Sequence, residues 1–348
     1  MRASPQPLCP NCNAQGTVLY EALDDRLFAA PGRWTMRRCT SCDCGALWLD
    51  PCPTREDLPQ AYAGYYTHGR ESRKDSALRR ALREGYAAQM LGYPRPRLWL
   101  GRLVGPLLGL LPKRRESTLY QWFYLPAQRD GRVLEVGCGA GAQLETLRDG
   151  GWQAVGVDFD PQAADVARAK GLEVLVGDVR DLGLPDADFD AVVMAHVIEH
   201  VHQPVGLLAE CSRLLRPNGR LVCITPNAAS YGHRRFGRDW RGLEPPRHLT
   251  VFTPGALALA ALRAGLEVQT VRVTSRDATN LLFASARIAN SPPGARVPVP
   301  TAQDSPPWRW RAMEAVETLA SWFGLHWGEE LVLIARKPES IACKEPAR

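Results

Sequence analysis

The amino-acid sequence predicts a doubly wound α/β domain preceded by a small cysteine-rich module. From Gly131 onward, short β-branched apolar runs alternate with helical segments, which is typical of βαβ units and a parallel sheet. Six of the ten cysteines lie in residues 1–68. A chain of 348 residues that is 45% hydrophobic is long enough for a full core and a second, smaller module.

The cysteines of residues 1–68 have the spacing of a zinc-ribbon-like module. The candidate metal ligands are Cys9, Cys12, Cys39, Cys42 and Cys44. The first four form two C-x-x-C pairs, as in a structural site where four thiolates hold zinc tetrahedrally. Cys44 precedes a glycine, the small residue usual after such a pair, so either Cys42 or Cys44 could be the fourth ligand. Four thiolates leave no position for water, so we expect no catalysis there.

Residues 69–126 are expected to form a basic helical bridge. Residues 70–115 carry twelve Lys or Arg and three Asp or Glu, a local net charge of +9 against +6 for the whole chain. The segment lacks the interleaved aromatic residues of a nucleic-acid platform, which argues against nucleic-acid binding. Its prolines break the helices, so we expect them to lie across a core formed elsewhere.

An apolar stretch, residues 98–112, lies within this bridge. It is too short to span a bilayer. Basic residues flank it: Arg95, Arg97, Lys113, Arg114 and Arg115. The stretch could cover the α/β domain, or it could make peripheral contact with an anionic membrane. No signal-peptide pattern precedes the first cysteines, so we expect a cytoplasmic protein with reduced thiols.

Seven strands are predicted for the α/β domain, residues 127–338. They cover residues 132–136, 153–157, 173–176, 189–195, 220–225, 266–274 and 330–335. The first five are expected to be parallel. Gly219 is predicted to end the helix before the fifth strand. An insertion, residues 277–327 with a Pro-rich part at 291–307, separates the last two strands, and a tail follows at 339–348.

A glycine-rich turn follows the first strand. The run Gly137-Cys138-Gly139-Ala140-Gly141 fits patterns for both dinucleotides and S-adenosylmethionine. The Glu135 carboxylate could bind the ammonium of a methionine moiety, whereas a nearby carboxylate would not favour the binding of a negatively charged pyrophosphate. Asp158 can accept ribose hydroxyls, and Asp178 with Val179 can meet an adenine. The set favours S-adenosylmethionine.

These motifs resemble those of class I S-adenosylmethionine-dependent methyltransferases. The resemblance covers residues 133–141, 155–161, 177–182, 189–201 and 214–227. Pro226-Asn227, then Pro246-Arg247-His248-Leu249 and Phe252-Thr253, resemble the branch of ubiquinone-pathway O-methyltransferases and bacterial glycan or natural-product methyltransferases. The resemblance implies a Rossmann-like, mostly parallel sheet with an antiparallel last strand. It also implies methyl transfer to a small-molecule, glycan or lipid-linked acceptor, with oxygen as our first choice.

The candidate cofactor residues in these motifs are Glu135, Gly137, Cys138, Gly139, Gly141, Asp158, Phe159, Asp178, Val179 and Ala195. Residues 34–68, with Trp48-Leu49-Asp50-Pro51 and Tyr65-Tyr66-Thr67-His68, resemble the zinc-binding module fused to some bacterial class I methyltransferases. The inserted Asp43-Cys44 departs from the simplest form of that module.

Four further residues are candidates for catalysis: His196, Glu199, His200 and His248. If residues 196–200 are helical, the first three share one face. Some class I methyltransferases have a similar arrangement, in which an E-x-x-E-H motif and a later histidine hold a divalent ion. His196 replaces the first glutamate here, and imidazole suits zinc or other transition ions better than magnesium. We favour a general base at His200 or His248; hydrogen bonding between strand ends is the structural alternative.

Two other function classes remain open from the sequence. Residues 196–200 also match the H-x-x-E-H pattern of inverted zinc peptidases, so a metallohydrolase is the competing enzyme class. A cofactor-binding assembly module without turnover is the non-enzymatic alternative.

Overall fold

A computed structural model describes residues 1–62, 76–94, 96, 98–300 and 304–339. The aromatic run at residues 65–68, the flanking Arg95 and Arg97, and residues 340–348 of the tail lie outside the described residues.

The N-terminal module is a small β structure. Its strands are β1 (Ala3–Ser4), β2 (Gly16–Leu23), β3 (Trp34–Cys39), β4 (Leu47–Leu49) and β5 (Cys52–Pro53). Strands β2, β3 and β4 form an antiparallel meander, and β1 pairs with β5. Trp34 and Met36, two residues apart on β3, are both buried, so one face of the meander covers a core. A 3-10 turn, Leu58–Tyr62, follows.

The bridge consists of short helices. These are α1 (Ala77–Leu91), α2 (Trp99–Val104) and α3 (Pro112–Gln121), with a 3-10 helix at Gly105–Leu110. Tyr93, Trp122 and Phe123 belong to the same hydrophobic cluster as Val133 and Val193 of the central sheet. The bridge therefore covers one face of that sheet.

The central sheet has seven strands. The strands in the second part of the chain are β6 (Arg132–Val136), β7 (Gln153–Asp158), β8 (Glu173–Val176), β9 (Phe189–Ala195), β10 (Leu215–Pro226), β11 (Thr250–Val251), β12 (Glu267–Thr274) and β13 (Glu330–Arg336). All of these except β11 belong to the central sheet. The sheet order is β12-β13-β10-β9-β6-β7-β8, and β13 is antiparallel to both neighbours. The predicted fold class, with its antiparallel last strand, is confirmed.

The helices of this domain are α4 (Ala142–Asp149), α5 (Pro161–Arg168), α6 (Pro204–Leu214), α7 (Tyr231–Phe236), α8 (Pro254–Arg263), α9 (Ala278–Ala289) and α10 (Trp308–Trp322). The predicted helix end at Gly219 is wrong, since β10 already begins at Leu215. Asn218 and Gly219 exchange backbone hydrogen bonds with Lys337, which extends the strand. The insertion at 277–327 contains α9 and α10.

The N-terminal module is continuous with the α/β domain. Strand β11 pairs with β4, so a loop after β10 supplies the fourth strand of the module's sheet. Asn11 Nδ2 donates to the Ala256 carbonyl at 2.9 Å, and Thr253 Oγ1 donates to the Cys44 carbonyl at 2.5 Å. The two parts thus share a core. Within the described residues, none of the helices has the length and apolarity to cross a membrane.

Candidate functional site

The glycine turn lies where β6 leaves the sheet. Gly137, Gly139 and Gly141 have φ of 74°, 52° and 76°, which only glycine adopts without strain. The Gly137 N–H donates to the Val157 carbonyl at 2.7 Å, which fixes the turn against β7. A Cβ placed on Gly139 would meet no described atom within 4 Å, so the turn leaves open space for a ligand.

Glu135 lies directly beneath this turn. It is 3% exposed, and its Oε2 atom has no hydrogen-bond partner among the described residues. Burial raises the pKa of Glu135 well above its usual range, and the nearby charge of Asp158 adds to this. An unpartnered buried carboxylate is costly, and a cationic ligand would stabilise it.

Asp158 shapes the turn and ends β7. Its Oδ2 atom accepts the Gly139 N–H at 2.7 Å, and its Oδ1 atom accepts the Asp160 N–H at 2.9 Å. The next side chain, Phe159, is 63% exposed and stands beside Tyr62, with 5.8 Å between the ring centroids. An aromatic face is therefore available next to a buried carboxylate.

The remaining predicted cofactor residues border the same edge. Cys138 and Val179 are buried, and Ala195 is partly buried at the end of β9. Asp178 follows β8 and accepts hydrogen bonds from Arg180 and from Arg55 of the N-terminal module, the latter at 3.2 Å. The Arg180 contact outweighs desolvation and lowers the pKa of Asp178.

The segment after β9 differs from the predicted helix. His196 has a φ of 56°, and only Ile198–His200 forms a single 3-10 turn. His196 Nε2 lies 3.0 Å from Glu330 Oε1, and its Nδ1 lies 3.3 Å from Glu199 Oε1. The three side chains of the H-x-x-E-H pattern therefore do not share one helical face, which is the arrangement that the peptidase interpretation assumed.

His196 lies between two carboxylates. Partial desolvation opposes its protonation, since 39% of the side chain stays exposed, but the hydrogen bonds with Glu199 and Glu330 outweigh this and raise the pKa of His196 well above its usual range. Burial likewise opposes ionisation of Glu199, yet His196 and the other histidines lower its pKa to about 2. His196 is therefore a poor candidate for a general base.

Glu199, His200 and His248 come together instead. Their ligand atoms lie within 4.8 Å of one another, and the two imidazole centroids are 4.8 Å apart. His200 Nδ1 lies 3.0 Å from the Arg247 carbonyl, and His248 Nδ1 lies 2.8 Å from the Gly242 carbonyl. A carbonyl only accepts, so Nδ1 of each ring carries the proton.

In the neutral form of each ring the lone pair is therefore on Nε2. Burial lowers the pKa of His248 to about 4, against the opposing charge of Glu244. Glu199 is fully buried and accepts the Thr225 hydroxyl at 2.9 Å. The group can accept a proton, and its two nitrogens and one carboxylate can also hold a divalent ion.

The sequence did not indicate several residues of this site. Tyr62 Oη lies 3.1 Å from His200 Nδ1, and Arg247 forms a 2.8 Å ion pair with Asp25. Glu330, which binds His196, also pairs with Arg276 at 3.0 Å. Arg247 belongs to the motif quoted above, but its partner lies 222 positions away, so no local pattern could identify the pair.

The cysteine cluster lies at the junction of the module and the α/β domain. The four clustered thiols are those of Cys9, Cys12, Cys39 and Cys44. Their Sγ atoms lie within 4.8 Å of one another, with 3.8 Å from Cys9 to Cys44 and 3.4 Å from Cys12 to Cys39. Metal–sulfur distances of about 2.3 Å in a tetrahedron imply about 3.8 Å between sulfurs.

Cys42 is exposed and lies outside this cluster. The chain turns at residues 41–45, where the N–H groups of Cys44 and Gly45 both donate to the Ser41 carbonyl. This turn carries the Cys44 thiol into the cluster and leaves Cys42 outside it, so the geometry favours Cys44 over Cys42 as the fourth candidate ligand. Cys52 is buried in the hydrophobic cluster of the module and lies outside the group of four thiols.

The residues at the glycine turn fit S-adenosylmethionine. The orphan Glu135 carboxylate suits its ammonium, the open space over Gly139 admits a ligand, and Phe159 offers a face for an adenosine moiety. A dinucleotide pyrophosphate carries no cation that could stabilise the Glu135 carboxylate.

Comparisons with known proteins agree with this fit. A family model described as a methyltransferase domain matches residues 113–271. A ubiquinone biosynthesis O-methyltransferase of Xanthomonas axonopodis is 32% identical over 182 residues, covering 48% of this chain and 73% of the relative. One from Xanthomonas oryzae is 36% identical over 132 residues, covering 35% of this chain and 52% of the relative.

The matches to the first curated relatives span about half of those proteins' length. Among solved structures, a methyltransferase from Archaeoglobus fulgidus is similar, with 23% identity and a TM-score of 0.43. That comparison covers 66% of this chain and 94% of the other.

Proposed function

Since the chain belongs to the family of S-adenosylmethionine-dependent methyltransferases, we propose that it transfers a methyl group to a hydroxyl oxygen of a small-molecule, glycan or lipid-linked acceptor. The observation that carries the choice of oxygen is the imidazole pair with lone pairs on Nε2 beside the glycine turn. A hydroxyl is a weak nucleophile until a base takes its proton. The names of the O-methyltransferase relatives agree with this choice.

One group of residues at the site binds the cofactor, and a second group takes part in proton transfer. When bound, S-adenosylmethionine supplies an electrophilic methyl carbon on a sulfonium. Glu135 holds the ammonium end, the turn at Gly137–Gly141 admits the ligand, and Asp158 meets the ribose.

His200 or His248 accepts the hydroxyl proton at Nε2. Both rings are oriented by backbone carbonyls through Nδ1, which holds the required tautomer. Val197 packs where a Cβ on Gly137 would lie, at 2.4 Å, so this segment borders the cofactor turn. His196, kept cationic between two carboxylates, faces the same edge and contributes charge rather than basicity.

Labelled methyl transfer tests this proposal. Protein and labelled S-adenosylmethionine are incubated with fractionated metabolite and lipid extracts, and the labelled product is identified. With that acceptor, His200→Ala and His248→Ala should lower turnover by about 100-fold or more, with nearly unchanged cofactor affinity. His326→Ala, an exposed histidine, is the matched control. Near-normal turnover of both variants would contradict the general-base proposal and would assign the two histidines a structural role.

A divalent ion is the second candidate for this site, because Glu199, His200 and His248 form a donor set suited to transition ions. Metal content separates the two mechanisms. A catalytic ion predicts that His200→Ala loses one ion per chain beyond that of the cysteine cluster, whereas a general base predicts unchanged content.

We further propose that Cys9, Cys12, Cys39 and Cys44 hold one structural zinc. The sulfur separations and the burial of the cluster support this. The ion would stabilise the junction between the module and β11 rather than act on the acceptor.

A further inference from the structure

The bridge exposes a ridge of large apolar side chains. Six of them, between 42% and 77% exposed, form this apolar ridge: Leu98, Trp99, Leu103, Leu107, Leu110 and Leu111. Single exposed apolar residues are ordinary, but this density within fourteen positions marks an interaction surface.

Close packing of helix backbones explains why these side chains face outward. A Cβ on Gly85 of α1 would lie 1.9 Å from the Gly101 carbonyl oxygen, and one on Gly105 would lie 2.9 Å from the Gly85 Cα. Backbones this close leave no space for large side chains between them. Gly101-x-x-x-Gly105 is the spacing by which helices associate in lipid, where small residues form the contact and large apolar residues face acyl chains.

A cationic cavity borders the ridge. It has a volume of about 360 Å³, and its lining includes Arg79, Arg83, Lys113 and Arg114. No acidic side chain of the described residues lines it, although Lys113 Nζ forms an ion pair with Glu314 of α10 at 2.7 Å. Leu108 also lines it, on the same 3-10 helix as Leu107 and Leu110 of the ridge. The arginines of this cavity, beside exposed leucines, match the two layers of an anionic bilayer surface, which are the phosphate groups and the acyl chains.

We propose that the bridge docks this protein on an anionic phospholipid bilayer. The apolar ridge enters the interfacial region, and the cationic cavity binds a lipid phosphate. A second copy of the chain would also cover apolar groups, but it would bring a second set of arginines to the same place. Charge complementarity therefore favours anionic lipid. This inference does not rest on the methyl-transfer proposal.

Co-sedimentation of the full chain with vesicles tests the docking. Phosphatidylglycerol-containing vesicles should bind the protein, and pure phosphatidylcholine vesicles should bind it weakly. Leu103→Glu and Leu107→Glu should each lower the partition coefficient by about tenfold or more, because each removes the transfer free energy of one leucine. The Arg79→Gln/Arg114→Gln pair should lower it by about thirtyfold on anionic vesicles alone.

Matched controls are Leu262→Glu and Arg263→Gln, exposed positions on α8 that should leave binding unchanged. Unchanged circular dichroism spectra would show that the variants fold. Absence of sedimentation with anionic vesicles would overturn the proposal, as would equal binding by the ridge variants. Sedimentation velocity that shows a dimer abolished by Leu103→Glu would assign the ridge to a second copy instead, which also overturns it.

Discussion

Replacing Arg247 with methionine should destabilise the protein at the junction of its two parts. The Arg247 side chain is fully buried. Its Nη1 lies 2.8 Å from Asp25 of the N-terminal module, and its Nε lies 2.8 Å from Glu244. Nη1 also donates to the Ala61 carbonyl at 2.9 Å. One cation thus fixes the module to the loop that orients His200.

The magnitude follows from what the substitution leaves behind. Breaking a buried ion pair by removing one partner costs about 3–5 kcal/mol, because the remaining charge stays desolvated. Asp25 keeps N–H donors from Leu27, Phe28 and Ala30, and Glu244 keeps its pair with Arg241. These contacts place the expected loss of unfolding free energy at the lower end, about 3 kcal/mol.

Urea unfolding followed by tryptophan fluorescence measures this loss. Arg80→Met removes an exposed pair with Glu84 on α1 and should cost about 0.5 kcal/mol, which makes it the control. The Asp25→Asn/Arg247→Met double variant should lose less than the sum of its single variants, since it buries one fewer unpaired charge. A loss for Arg247→Met no larger than that of the control would refute the reasoning.

Two further outcomes follow from buried groups. Purified protein should contain about one zinc by mass spectrometry, lost in Cys44→Ser and retained in Cys42→Ser; equal loss in both would contradict the assigned ligand set. Burial, reinforced by the charge of Glu329, raises the pKa of Glu317 to about 10. Below about pH 4.5 Glu317 is protonated in the folded and the unfolded state, and the protein keeps its full stability. As pH rises toward 10, ionisation of Glu317 in the unfolded state lowers the free energy of unfolding. Glu317→Gln should therefore stabilise the protein, by up to about 1.4 kcal/mol more per pH unit across that window, and a melting-temperature gain independent of pH would count against it.

The sheet could be predicted from the sequence because its signals are local. Each parallel strand is a short β-branched run between helical segments, and six of the seven observed strands begin within one residue of their predicted start. The fifth differs because Leu215 already pairs with Phe189 of β9, and Asn218 and Gly219 bond to Lys337 just after β13. These contacts depend on distant segments. The acids and glycines of the cofactor turn follow strand ends, so their convergence was also predictable.

The rest of the site depends on long-range contacts. The spacing predicts a shared face for His196 and His200, but the left-handed backbone at His196 separates them. Cys42 and Cys44 are both plausible by spacing, and only the local turn distinguishes them. The pairing of β4 with β11 joins segments about two hundred positions apart, so no sequence pattern predicts that the module completes its sheet with a strand from the α/β domain.

Isothermal titration calorimetry with S-adenosylmethionine tests the central claim most directly. We predict one site per chain, with affinity lowered by about thirtyfold or more in Glu135→Gln, because a buried charged partner is removed. Gly139→Arg should abolish binding by filling the open space above the turn, whereas Gly265→Arg, at another glycine with positive φ and no atom nearby, should leave it intact. Tight binding of NADH without binding of S-adenosylmethionine would contradict the account.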